Sequence, residues 1–296
     1  MTLNPWRLRL LSQLDTLGTI RAVAQAVNTS PSSVSQQLSV LEAETRARLL
    51  ERTGRRVRLT PAGLILARRA RVILDQMAAV EAELRGLAQE PVGVVRLAAF
   101  QSAIHSLAVP AVTRLAGSHP HIDVELHELE PHASMGALRG GDVDIIITTT
   151  DYVESPIDPD IDIIPLATDP VVLVLPPDHP AAARESVDIT ACADEDWAFD
   201  MPGSYLSNLA TRLCRQAGFE PRVVCRFNNY MITLQHVEAG HSIALLPGLA
   251  VDRRYRVLTR SLRFPVERNI TAAIRKNSRP AVNVVLDVLR RGPERT

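Results

Sequence analysis

Ser32, Ser33, Ser35, Gln36 and Gln37 crowd hydrogen-bonding side chains into one short stretch after Pro31. Hydroxyls and amides can donate and accept at base edges and phosphate oxygens, and no carboxylate among them repels a polyanion. Further along, Arg52, Arg55 and Arg56 flank Gly54. Guanidinium groups around a tight turn suit phosphate neutralisation, which positions a protein on a duplex without reading its sequence. These residue types and spacings point to nucleic-acid contact.

The elements that must position them are legible. Ile20, Val23, Ala24 and Val27 form one apolar helical stripe, and Val34, Leu38 and Leu41 form another. Between them, Asn28-Thr29 makes a short turn. Ser30 is a fitting N-cap and Pro31 a fitting first helical residue. So short a turn forces the two helices to cross steeply, as in a helix-turn-helix. The recognition helix is expected over 31–44. Glu51 to Thr60 reads as a short hairpin with Gly54 at its tip, a basic wing.

After the wing, Leu66, Ile73, Val80 and Leu87 recur every seven residues, with Ala70, Met77 and Leu84 at the complementary spacing. This predicts a long helix over 61–89 whose seam pairs with a second copy of the chain. Dimerisation suits recognition, since a two-fold protein reads a two-fold operator. The stretch Gln89-Glu90-Pro91-Val92-Gly93 marks a boundary. Beyond it, apolar runs at 94–99, 124–129, 145–148, 171–175, 223–227, 243–246 and 269–275 alternate with helical stretches at 104–115, 134–139, 206–216, 231–239 and 280–290. That alternation predicts α/β layers with mostly parallel sheets.

The zero net charge conceals an asymmetry: residues 1–89 carry a balance of +6 and residues 90–296 one of −6. A basic module joined to an acidic one is expected when only the first meets a polyanion. No run approaches membrane-spanning length and nothing resembles a signal peptide, so a cytoplasmic protein without membrane contact is expected. Cys192, Cys214 and Cys225 lack metal or redox spacing and read as reduced, mostly buried thiols. His119, His121, His127 and His132 cluster without a metal motif and read as surface loop residues. No metal and no cofactor is expected. Gly240-His241-Ser242-Ile243-Ala244 approaches a nucleophile elbow, but a helix precedes the serine and a strand follows it, the reverse of what the elbow needs. A non-enzymatic protein is expected. A solute-binding protein with an added helical N-terminus is the remaining alternative, and the basic wing argues against it.

The order of Ala22-Val-Ala-Gln-Ala26, Ser30-Pro-Ser-Ser-Val-Ser-Gln-Gln-Leu38, Leu41-Glu-Ala-Glu44, Leu49-Leu-Glu-Arg-Thr53 and Leu59-Thr-Pro-Ala-Gly63 resembles the N-terminal domain of LysR-type transcriptional regulators. The chain departs from that family's usual pattern at Thr45-Arg46, where Leu-Gly is usual, at Leu50 for Phe, and at Gln36 for the common Arg. At position 46 a glycine would end the helix at positive φ. Arg46 must therefore adopt that conformation, or the helix must end differently. Gly93-Val-Val-Arg-Leu97, His119-Pro120, Gly141-Asp-Val-Asp144, Pro176-Pro-Asp-His-Pro180, Ala217-Gly218-Phe219 and Ala239 to Pro247 extend the resemblance to the family's effector domain, which is similar to periplasmic solute-binding proteins.

The resemblance implies three parts: a winged helix-turn-helix at 1–60, a linker or dimerisation helix at 61–89, and a two-lobed α/β effector domain at 92–296. Lobe I would take about 92–167 and 267–296, and lobe II about 168–266. It implies a sequence-specific regulator that binds a double-stranded DNA operator. A small-molecule effector would sit between the lobes. A dimer of dimers, and RNA polymerase as partner if the chain activates, complete the implied partners. In open α/β sheets ligands gather at the carboxyl ends of strands. Candidate effector contacts are therefore Gln101, Ser102, Glu128, Thr148, Thr149, Gly203, Ser204, Tyr205, Asn228, Asn229 and Tyr230, with few arginines expected in the cleft.

Overall fold

The computed structural model describes residues 3–53, 56–85, 91–150 and 158–292. The N-terminal head contains α1 (Pro5–Leu17), α2 (Ile20–Ala26), α3 (Pro31–Thr45), the hairpin strands β1 (Leu50–Thr53) and β2 (Arg56–Leu59), and the start of α4 (Pro61–Arg85). Leu8, Leu11, Val23, Val34, Leu38, Leu41 and Leu49 close its core. Each start signal in the sequence has a local cause. Asn4, Thr19 and Ser30 accept backbone N–H groups at the starts of α1, α2 and α3, relieving donors that have no partner within the helix.

The long helix α4 divides its surface three ways. Ala67 and Ala70 are buried in the head, with Leu66 and Leu74 packed against them. Ile73, Met77 and Val80 are exposed. The expected seam is thus split: its first turns, at Leu66 and Ala70, serve the chain's own head, because α1 packs there. The side chains of Leu84 and Leu87 lie outside the described residues. A third face meets the C-terminal half. Arg71 is ion-paired with both Asp15 of α1 and Asp142. Gln76 Nε2 donates to the Asn277 carbonyl at 3.1 Å. A Cβ on Gly141 would lie 2.6 Å from Val72 Cγ2, and its φ of 76° independently favours glycine.

The C-terminal half begins with β3 (Gly93–Ala99). Next, α5 (Gln101–Ala103) runs through a π turn at Ile104–Ala108 into α6 (Val109–Ser118). Then come β4 (Ile122–Glu128), α7 (Pro131–Gly140), β5 (Ile145–Thr149), β6 (Ile161–Leu175), β7 (Ser186–Val187), β8 (Asp196–Phe199), α8 (Tyr205–Gln216), β9 (Arg222–Arg226), α9 (Tyr230–Glu238), β10 (Ala244–Pro247), β11 (Leu258–Arg275) and α10 (Pro280–Arg290). The main sheet runs β10-β6-β11-β5-β3-β4, with β7 beside β11.

Strand β3 is parallel to β4 and β5, but β11 is antiparallel to β5 and β6, and β10 to β6. The sheet is mixed rather than mostly parallel. The reason is the pair of long strands, β6 and β11, which lie antiparallel as they pass between two cores. One core packs the π turn, α6 and α10 on the sheet through Leu107, Leu115, Val285 and Leu289. The other gathers Leu173, Leu175, Trp197, Phe199, Leu209, Leu234 and Leu246. The reverse face of the first lobe is covered by α7 through Met135 and Leu138.

Asp144, at the entry to β5, anchors the first lobe. It is 1% exposed and accepts from the Arg96 N–H at 2.9 Å and from Arg275 and Arg279 Nη2 at 3.1 Å each. Replacing it with alanine strands two partly buried guanidinium groups. Asp144→Ala is expected to cost about 3 kcal/mol, read as a lower denaturant midpoint at unchanged slope.

Candidate nucleic-acid interface and ligand cleft

After Pro31, the exposed residues on α3 are Ser32, Ser35, Gln36, Ser39 and Ala43, the later ones three, four, seven and eleven positions from Ser32. They form one stripe opposite the buried Val34, Leu38 and Leu41. Ser39 was not among the sequence candidates, although its spacing from Ser32 and Ser35 is a sufficient signal. Ser33 is half-buried and donates its N–H to Ser30 Oγ at 3.1 Å. Gln37 lies off the stripe: its Oε1 accepts from Arg7 Nε at 2.9 Å, and Arg7 also pairs with Glu44. Arg7 therefore ties α1 to α3.

Behind the stripe, Arg46 takes the left-handed conformation, φ 52°, and its N–H bonds back to the last turn of α3. The structure thus takes the strained option at the position where glycine is usual. Glu42 then receives the N–H groups of Leu49 and Leu50 at 2.7 and 3.0 Å, which holds the base of the hairpin against the helix. The strands pair Leu50 with Leu59 and Thr53 with Arg56. Residue 55 and the side chains of Arg52 and Arg56 lie outside the described residues. Arg46, Arg48 and Arg58 are exposed cations around the hairpin base that were not among the sequence candidates. Thr60 secures the return: its Oγ1 donates to the Arg48 carbonyl at 2.7 Å and accepts the Gly63 N–H at 3.1 Å.

The second site lies where β6 and β11 cross between lobes. Arg268 and Asp169 face each other directly in the strand register, are 2% and 1% exposed, and form an ion pair. Arg268 Nη2 also donates to Ser102 Oγ at 3.1 Å, and the guanidinium lies over the rings of Phe100 and Tyr205 at 5.0 and 5.9 Å. Asp169 Oδ1 accepts the Leu249 N–H at 2.9 Å. One buried pair therefore touches both lobes. The expectation of few cleft arginines missed this residue. Strand β6 carries Pro165 and Pro170, which argue against a strand, so its first half and the partner of Arg268 were not read.

Other contacts close the cleft. Gln101 donates from Nε2 to the Asn228 carbonyl and accepts the Tyr230 N–H on Oε1, each at 3.0 Å. Ser106 Oγ donates to the Leu249 carbonyl at 2.6 Å. Glu130, at the start of α7, accepts the Tyr205 N–H across the gap. Asn229 and Ser204 cap α9 and α8. Thr148 and Thr149 are buried with hydroxyl oxygens that lack a hydrogen-bond partner, as is Thr271, which pairs with Thr148 across the strands. Gly203, φ 89°, and Asn228 are exposed beside these contacts. Glu128 is exposed at the end of the edge strand β4 and joins none of these cross-lobe hydrogen bonds.

Burial pushes the carboxyls of Glu130 and Asp200 above their ordinary range, and their mutual repulsion raises Glu130 further. Burial also pushes the Tyr230 phenol up. Glu130 falls in the stretch 128–130 that the strand-end rule marks as cleft-lining, whereas Asp200 lies just before the marked stretch 201–205 and outside it. Elsewhere, burial pushes the Cys192 and Cys214 thiols up to about 11 and about 12. Ser242 Oγ lies 2.9 Å from His236 Nδ1, but α9 precedes it and β10 follows it, the wrong order for a nucleophile elbow. His127 and His132 are exposed but stand on β4 and α7 rather than in loops. Among the described residues no three ligand-type side chains cluster as a metal would need, and no helix is long and apolar enough to cross a membrane.

A helix presenting a polar stripe from a small winged head, joined by one long helix to two lobes that share crossing strands, defines a ligand-responsive DNA-binding protein. Residues 6–64 match the family described as bacterial regulatory helix-turn-helix protein, lysR family, and residues 88–293 match the LysR substrate binding domain. The chain belongs to the LysR family of transcriptional regulators, proteins that bind DNA and carry an effector-binding domain. It is 30% identical to a probable hydrogen peroxide-inducible genes activator of Streptomyces viridosporus, over 86% of this chain and 82% of that one. A full-length OxyR variant from Pseudomonas aeruginosa has the same fold, with a TM-score of 0.81 at 21% identity over 99% and 96% of the two chains. CbnR bound to its target DNA gives a TM-score of 0.63 at 20% identity over 98% and 99%.

Two outcomes test these geometries. A Cβ on Gly63 would sit 2.1 Å from the Leu49 carbonyl oxygen, so Gly63→Ala is expected to destabilise the head by about 2–3 kcal/mol, seen in chemical unfolding. Because the folded protein raises the Glu130 pKa above its ordinary 4.5, ionisation of that group costs stability as pH rises through the shifted value. Glu130→Gln should therefore raise the melting temperature at neutral pH. The advantage should fade as pH falls below 4.5.

Proposed function

We propose that this regulator acts in the cytoplasm as a homodimer joined through residues 61–89, assembled further as a dimer of dimers. The proposed division is 1–60 for DNA binding, 61–89 for the linker and 92–296 for effector binding. Ser32, Ser35 and Gln36, joined by Ser39, face bases and phosphates in the major groove, with the half-buried Ser33 at the edge of the stripe. Arg52, Arg55 and Arg56 hold the backbone with the wing, while Gln37 positions α3 through Arg7. RNA polymerase is the further partner if transcription is activated. The observation that carries the reading is the α3 stripe: hydroxyls and an amide facing outward from a helix whose other face is fully buried.

The effector sits between the lobes, against Gln101, Ser102, Thr149, Tyr205, Asn229 and Tyr230, and it acts by non-covalent binding. The Streptomyces relative is named a probable activator of hydrogen peroxide-inducible genes. In this chain Cys192 and Cys214 are at most 1% exposed and burial holds both as thiols, while the half-buried Cys225, 3.6 Å from His236 Nδ1, is also pushed towards the thiol by burial. The thiolate is the reactive form, and it forms in electropositive, accessible surroundings. Ligand binding would change the pose of the lobes only as far as its affinity differs between the two arrangements. The contact of Arg71 with Asp15 and Asp142 offers a route for that change to the head.

The direct test titrates the full-length chain onto its own upstream intergenic duplex and onto a random duplex, at two salt concentrations. A preference on the order of a thousandfold for the upstream duplex is expected. Equal, weak and salt-sensitive binding to both would show only phosphate attraction and would count against operator recognition by this face at that locus. Equimolar peroxide should leave the affinity unchanged.

A further inference from the structure

The polar stripe of α3 contains one side chain able to hold two groups of a base at once. Ser32, Ser35 and Ser39 each present a single oxygen, and Ala43 presents none. A lone hydroxyl meets one donor or acceptor and accepts any base. Gln36 stands mid-stripe and exposed, one turn after Ser32 and just under one turn before Ser39. Its amide carries a donor and an acceptor side by side. The neighbouring amide, Gln37, is committed, with its Oε1 held by Arg7 Nε and its side chain half-buried. No arginine or lysine lies on the stripe, so the bidentate cation contact to guanine has no source there.

In the major groove adenine offers N7 as acceptor beside N6–H as donor, the complement of a glutamine amide. Guanine offers two acceptors, N7 and O6, and would leave the amide oxygen facing an oxygen. Cytosine and thymine each offer one group. We propose that Gln36 reads an adenine, once in each half of a two-fold operator, and is the main direct determinant of base preference on α3. This rests on the assignment of α3 as the DNA-contacting helix.

The test is selection from a randomised duplex pool by the full-length wild type, Gln36→Arg, Gln36→Ala and Gln37→Ala. Because Gln36 is exposed, its two variants should melt with the wild type, which confirms that they remain folded. The wild type should enrich a site with an A·T pair at one symmetric position in each half-site. That pair should become G·C with Gln36→Arg and unconstrained with Gln36→Ala, while Gln37→Ala keeps the adenine. Exchanging the A·T pair for G·C should weaken the wild type by about tenfold to a hundredfold per half-site. An enriched site identical for all four proteins would overturn the adenine assignment and leave the regulator standing, as would a change with Gln36→Arg at a pair that is not A·T. Failure of every protein to enrich any site would overturn both.

Discussion

The buried pair of Arg268 and Asp169 is the constraint around which the C-terminal half is arranged. Two charges taken out of water must be matched closely, since either alone would carry a desolvation penalty of several kcal/mol. The match is supplied by strand register: β6 and β11 place the two residues directly opposite each other at the crossing between lobes. Ser102 and Phe100 from one lobe, and Leu249 and Tyr205 from the other, complete the shell. Moving one lobe against the other would disturb this shell together with the hydrogen bonds of Gln101 and Ser106 across the cleft.

The head is tied to that assembly by a different kind of contact. Arg71 sits between Asp15 of α1 and Asp142 beside Gly141, so a single guanidinium bridges the first helix of the chain and the first lobe. The glycine beneath lets α4 approach closely, because any side chain would collide with Val72. Charge and close packing thus hold the long helix to the lobe on one face. The head occupies a second face, and Ile73, Met77 and Val80 are left exposed on the third. That third face is where the proposed partner helix would lie.

Much of the head was legible in the chain because its signals are local. The Ser30 cap, Pro31, the Val34-Leu38-Leu41 stripe and the short hairpin after residue 50 each act over a few residues, and the structure places α3 and the paired strands β1 and β2 accordingly. The helix at 280–290 was read for the same reason, from an apolar period bounded by Pro280. The cleft was legible only in part. Gln101, Ser102 and Tyr230 stand at element starts, which sequence can locate. Glu130 stands just past the end of β4, a place the strand-end rule marks, but Arg268, Asp169 and Asp200 join from far along the chain and nothing local marks them. Pro165 and Pro170 also concealed half of β6, which tolerates them through its register shifts and irregular pairing with β11.

By itself the sequence determined the order of the elements, the basic head with its polar helix face, and the alternation that builds two α/β lobes. These follow from caps, periodicity and charge acting between near neighbours. Only the tertiary structure decided which side of α4 serves its own head, that the sheet is mixed, that Gln37 is held by Arg7 while Gln36 is left facing solvent, and that a buried arginine occupies the cleft. Each of those depends on residues dozens to more than a hundred positions apart meeting in register, and pairing at that range is settled by the packing of the whole chain.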